Sequence, residues 1–125
     1  MVRDTVQITL SDYDASVSAA LAKPTTIAIN ATNGAVVPGF FQSKDNSAWL
    51  LVNATTAGDV VLVEGDAFRT NNILGSLSMP VTVGLNLIQI ERHGRFENKD
   101  GSLNIDFEGG VAGTITAFAK RAGLK

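Results

Sequence analysis

Residues 103–118 read LNIDFEGGVAGTITAF, and this stretch decides the fold class. Leu103, Ile105 and Phe107 fall on one side of an extended chain, Asn104 and Asp106 on the other. That period of two is the pattern of a strand with one buried face. Gly109-Gly110 ends the run, and Thr114 to Phe118 (TITAF) resumes β-branched and aromatic sequence. Gly109, Gly110 and Gly113 read as turn and bulge glycines. A phosphate-binding loop would need a following Lys-Ser/Thr pair and a strand–loop–helix setting.

The same grammar extends outward. Val6, Ile8 and Leu10 alternate with Gln7 and Thr9, and Thr25 to Asn30 (TTIAIN) repeats the pattern. Asn33-Gly34 follows as a turn signal, because both residue types tolerate positive φ. Ala48 to Asn53 (AWLLVN) is nearly continuous apolar sequence, as in a strand covered on both faces. Val60 to Glu64 (VVLVE) ends at Gly65-Asp66. Met79 to Val83 (MPVTV) carries Pro80, which marks an edge or a strand start. Leu85 to Glu91 (LNLIQIE) alternates again. Further turn markers stand at Ala57-Gly58-Asp59 and Lys99-Asp100-Gly101. About eight short strands at this spacing predict an all-β fold, an antiparallel β-sandwich or a jelly-roll-like barrel.

One segment reads two ways. In SDYDASVSAALA (Ser11 to Ala22), Tyr13, Val17 and Leu21 recur at helical spacing, while Val17, Ala19 and Leu21 also alternate. A short helix near residues 11–22 is one reading and an extended segment the other. Residues 1–24 are taken as an N-terminal arm or first strand packed on the domain. Residues 25–125 are taken as the sandwich core of a single domain.

Composition narrows the function. Of the 125 residues, 45% are hydrophobic and 18% charged, a balance that supports a core rather than disorder. There is no cysteine, which excludes a disulfide scaffold and a thiolate metal site. The net charge of −2 lacks the basic excess of a nucleic-acid binder. The N-terminus shows no signal-peptide pattern, and no apolar run approaches the roughly 20 residues that span a bilayer. The expectation is a protein made in the cytoplasm that engages neither nucleic acid nor membrane.

Residues for catalysis are sparse. His93 is the only histidine, whereas a zinc site needs three or four suitable ligands. The sequence around it, ERHGRFENKDG, contains no nucleophile elbow. Asp12 and Asp14, then Asp59, Glu64 and Asp66, then Asp106 and Glu108 form three acidic groups, and none has the spacing of an EF-hand calcium loop. The expectation is no enzyme activity, no metal, no cofactor and no small-molecule substrate.

Surface groups remain. Phe40 and Phe41 follow Val36-Val37-Pro38-Gly39, and two adjacent phenylalanines cannot both face one core from a regular strand. Either one is exposed as an interface anchor, or a bulge buries both. Arg92, His93, Arg95 and Lys99 are interspersed with Glu91, Glu97 and Asp100, a mixture suited to a polar protein contact. Lys120 and Arg121 begin a small basic tail. The protein-interface candidates are therefore Phe40, Phe41, Arg92, His93, Arg95, Lys120 and Arg121.

Four stretches carry a resemblance: INATNGAVV (Ile29 to Val37), WLLVNATTAGDVVLVEGD (Trp49 to Asp66), LGSLSMPVTVGLNLI (Leu74 to Ile88) and GRFENKDGSLNIDFEGGVAGTITAF (Gly94 to Phe118). In this order they resemble the head decoration proteins of tailed bacteriophages, also called cement or minor capsid proteins. In that resemblance the first is an early strand–turn–strand, the second a core hairpin, the third a strand pair and the fourth the C-terminal block. The resemblance implies a virion structural protein, without enzymatic activity, that binds the outer surface of the capsid. Its implied partners are the major capsid protein and itself, as a homotrimer. Two other readings stand beside it: a head-fibre or tail-associated structural protein, and a carbohydrate-binding β-sandwich module.

Overall fold

The computed structural model describes residues 2–12, 26–40, 47–67, 75–90 and 95–121, with backbone alone at 8–12, 47–48 and 118–121. Among the described residues, ten strands form, most of them where the alternating sequence runs. They are β1 (Asp4–Thr5), β2 (Ile8–Asp12), β3 (Thr26–Ala28), β4 (Ala35–Val37), β5 (Ser47–Thr56), β6 (Gly58–Leu62), β7 (Leu77–Val81), β8 (Gly84–Ile90), β9 (Leu103–Glu108) and β10 (Ala112–Arg121). The described residues contain no helix. Ser11 and Asp12 close β2, paired with Lys120 and Arg121, so the helical reading of residues 11–22 fails at its first two positions. Residues 13–22 lie outside the described residues.

Two sheets form, with strand orders β1-β4-β9-β6-β7 and β2-β10-β5-β8, and β3 pairs with β10 as well. Without β1 and β2, the sheets read β4-β9-β6-β7 and β3-β10-β5-β8. All six pairings among these eight strands are antiparallel. This is the strand order of a jelly roll, two Greek keys folded into a sandwich. The N-terminal strands are additions. β1 joins β4 and β2 joins β10, both in parallel.

Among the described strands, only β6 and β7 are both consecutive in the chain and paired. This corrects the reading of Trp49 to Asp66 as a hairpin. β5 and β6 lie in different sheets, and Ala57-Gly58 turns the corner between them. The reading of Leu74 to Ile88 as a strand pair is corrected likewise, because β7 and β8 belong to opposite sheets.

The core follows from the alternation. Leu50 and Val52 of β5, Ile88 and Ile90 of β8, and Ile115 and Ala117 of β10 face inward from one sheet. Val37 of β4, Val60 and Leu62 of β6, and Leu103, Ile105 and Phe107 of β9 meet them from the other. Val6, between β1 and β2, is fully buried and plugs the end where the chain passes from one sheet to the other. β5 departs from expectation, since only one of its faces is in the core. Leu50, Val52 and Ala54 are buried, Trp49 and Leu51 are half-buried on the outer face, and Asn53 is exposed.

Two local devices set the register. Gly113 has φ 136° and marks a bulge against β5, where the pairing shifts between Ala112 and Gly113. The Asn33-Gly34 turn works differently from the sequence reading. Only Gly34 takes positive φ, at 71°, while the Asn30 side chain accepts the Thr32 and Asn33 amides at 3.0 and 3.2 Å. An Asx turn at Asn30 thus carries the chain from β3 in one sheet to β4 in the other.

Candidate functional site

Most of the surface obeys the alternation, and one rim does not. Among the described residues, five large hydrophobic side chains are exposed, and four of them lie within residues 77–87: Leu77, Val83, Leu85 and Leu87. Leu85 is 70% exposed, Leu87 61% and Val83 66%. Leu85 and Leu87 lie on the outer face of β8, the last strand of its sheet, and Val83 precedes them in the β7–β8 connection, whereas Leu77 stands opposite the buried Leu62 at the start of β7.

The exposure has a cause in the sequence. In β8 (GLNLIQI), Leu85 and Leu87 share one parity, and Ile88 and Ile90 the other. A strand presents successive side chains to opposite faces, so only one apolar pair can enter the core. Ile88 and Ile90 do, and the leucines are left outside. Across the sheet Leu87 stands opposite Leu51, and Gln89 opposite Trp49, so the apolar strip continues onto the outer face of β5. The rim is held in shape by Asn86. Its Nδ2 donates to the Thr82 and Gly84 carbonyls at 2.8 and 3.1 Å, and its Oδ1 accepts the Thr82 amide at 3.2 Å. Exposed apolar side chains that share one sheet face, as Leu85 and Leu87 do, are a mark of a protein-contact site.

Two of the candidates drawn from sequence, Phe40 and Arg95, have described side chains. Phe40 is 6% exposed and belongs to the core cluster, so it is corrected from interface anchor to core residue. Arg95 is half-buried, and its side chain is engaged within the molecule. Its Nε donates to the Gly75 carbonyl at 2.9 Å, Nη2 to the Ser76 carbonyl at 3.3 Å, and its guanidinium lies 5.2 Å from the Phe96 ring centroid. It ties the start of β7 to the segment before β9. Phe41, Arg92 and His93 lie outside the described residues. Lys120 and Arg121 end β10, where the backbone alone is described. Of the sequence candidates, only Phe40 and Arg95 have described side chains, one in the core and the other bound to the segment before β7.

A shallow polar depression of about 380 Å³ sits on the outer side of the other sheet, lined by Asp66, Asn98, Lys99, Asp100, Ser102 and Asn104 beside Val36. Its carboxylates serve the local turns. Asp66 accepts the Lys99 amide at 2.8 Å. Asp100 accepts the Ser102 hydroxyl at 2.6 Å and the Ser102 amide at 3.1 Å. Chiefly through the Ser102 hydroxyl, these bonds hold the Asp100 carboxyl below the ordinary carboxylate range. Among the described residues, no three His, Cys, Asp or Glu side chains are grouped to hold a metal ion. The arrangement braces the loop that leads into β9.

Comparison of the chain with protein-family models, with curated proteins and with solved structures finds no match.

Proposed function

We propose that this chain is a virion structural protein that binds the outer surface of a tailed-phage capsid and stabilises it. The observation that carries the reading is the exposure of large apolar side chains, Leu77, Val83, Leu85 and Leu87, on a two-sheet scaffold. The resemblance of four long stretches to head decoration proteins supplies the identity of the partner.

The physical logic is that of a clamp. A protein that binds only the assembled shell stabilises that shell by mass action. Self-association raises effective concentration and turns modest contacts into firm attachment. A net charge of −2 keeps the chain from adhering to packaged DNA.

The test is co-sedimentation of the purified chain with empty, expanded capsids of the phage that encodes it. Saturable binding at a fixed ratio to capsid subunits is expected. Failure to sediment with capsids at tens of micromolar would remove the proposal.

A further inference from the structure

The outermost strands of the sandwich are not equally protected. β1 is two residues long and carries Asp4, β2 ends on Asp12, β3 is three residues long, and β7 carries Pro80. Shortness, charge and proline are the usual devices that keep a sheet edge from pairing with another chain. β8 has none of them: its seven residues, GLNLIQI, include no charge and no proline. Among the described residues, no strand pairs with it on the side away from β5. The same strand carries the exposed Leu85 and Leu87.

We infer that β8 pairs antiparallel with β8 of a second copy of this chain, about a twofold axis at Asn86. In that register Leu85 stands opposite the partner's Leu87, and Leu87 opposite the partner's Leu85. The four leucines form one cluster on the outer face, flanked in each copy by Leu51, the neighbour of Leu87 within its own sheet. Opposed apolar pairs stabilise an antiparallel ladder, and like charges directly opposite destabilise it. An uncharged strand meeting its own copy gains the first effect and avoids the second. A charged partner finds no complementary charge on β8. The pairing joins two five-stranded sheets edge to edge and satisfies the outward backbone groups of β8. An interface of ordinary size takes about 800 Å² from each partner. That is roughly a ninth of the 7265 Å² this chain exposes. A closed trimer must join two different patches on each chain. β8 complements itself, so its pairing closes at two.

The inference rests on reading the exposed apolar residues near β8 as protein-contact surface; it assigns Leu85 and Leu87 to a second copy and leaves Val83 and Leu77 to the capsid. Sedimentation equilibrium of the full chain tests it, with a readout separate from capsid binding. At tens of micromolar the expected mass is twice that of the chain. Leu87→Glu, at an exposed position, is expected to keep the far-ultraviolet circular dichroism and weaken association by about a hundredfold or more. Leu85→Lys is expected to do the same. Hydrogen exchange of the unmodified chain provides a check that needs no variant: the outward-facing β8 amides are slow when concentrated and fast on dilution. A mass other than twice the chain's, a dimer that persists in both variants, or β8 amides that exchange fast at every concentration overturns the inference.

Discussion

The Arg3 guanidinium donates to the Asp106 carboxylate at 2.6 Å and, through the same Nη1, to the Ile105 carbonyl at 2.7 Å. One side chain thus ties the N-terminal residues to β9, across β4. The Asp4 amide donates to the Gly34 carbonyl at 3.1 Å, and the Val6 amide to the Val36 carbonyl at 2.9 Å. The N-terminal segment is therefore a built part of the sandwich that covers the β4 edge. Arg3→Ala is expected to lower stability by about 0.5–1 kcal/mol, as for a partly exposed ion pair. The loss is expected to shrink in high salt. Urea titrations at low and high ionic strength check both; a loss that salt leaves unchanged would assign the effect to packing.

Gly113 is the second lever. A β-carbon there would collide with the Asn53 carbonyl oxygen, and its φ of 136° is one that L-residues rarely adopt. Gly113→Ala is expected to cost about 2–4 kcal/mol, combining backbone strain with disruption of the β5–β10 ladder. Gly110→Ala is the control. That position also has positive φ but open space around it, and about 1 kcal/mol is expected. Equal losses in the two variants, measured by urea unfolding, would show that the bulge does not fix this pairing.

Phe40 gives a prediction opposite in kind to its reading as an exposed interface anchor. Its burial in the core makes Phe40→Ala a cavity mutation, with an expected loss of about 3–5 kcal/mol. A variant of undiminished melting temperature that loses a binding activity would restore the interface role.

How much was legible in the sequence can be traced through these residues. Leu103, Ile105 and Phe107 reveal both their strand and its buried face, because the period of two is local. Sheet membership is not local. Ala57-Gly58-Asp59 carries the same turn chemistry whether the chain reverses into a hairpin or crosses to the facing sheet, and only pairing with distant β9 and β10 decides. The burial of Phe40 depends on that packing too. The rim, by contrast, left a readable sign. Apolar residues of both parities in LNLIQI put one pair on the outer face of the sheet, and the alternation of Leu85 with Leu87 hides the change of phase at Ile88. Arg95 offered only its charge, while its role comes from Gly75 and Ser76, remote in the chain.

The Asp100–Ser102 turn predicts a pH dependence. The folded pKa of Asp100 is depressed, first by the Ser102 hydroxyl and then by the Ser102 amide. Its contribution to stability is therefore present above the unfolded value of about 3.9 and lost as pH falls through the folded one. Ser102→Ala is expected to move the carboxyl titration up toward the ordinary range. The stability difference between the two proteins then narrows as pH drops below about 4. Carbon-detected NMR titration of the Asp100 carboxyl reads this directly; an identical titration in both proteins would contradict it.

The capsid role is tested most directly by calorimetry of empty, expanded capsids with and without the saturating chain. Binding confined to the assembled shell predicts a higher disruption temperature, with about 2.7 kcal/mol gained per site at a hundred times the dissociation constant. A shell whose disruption temperature does not move under saturating chain would contradict the account.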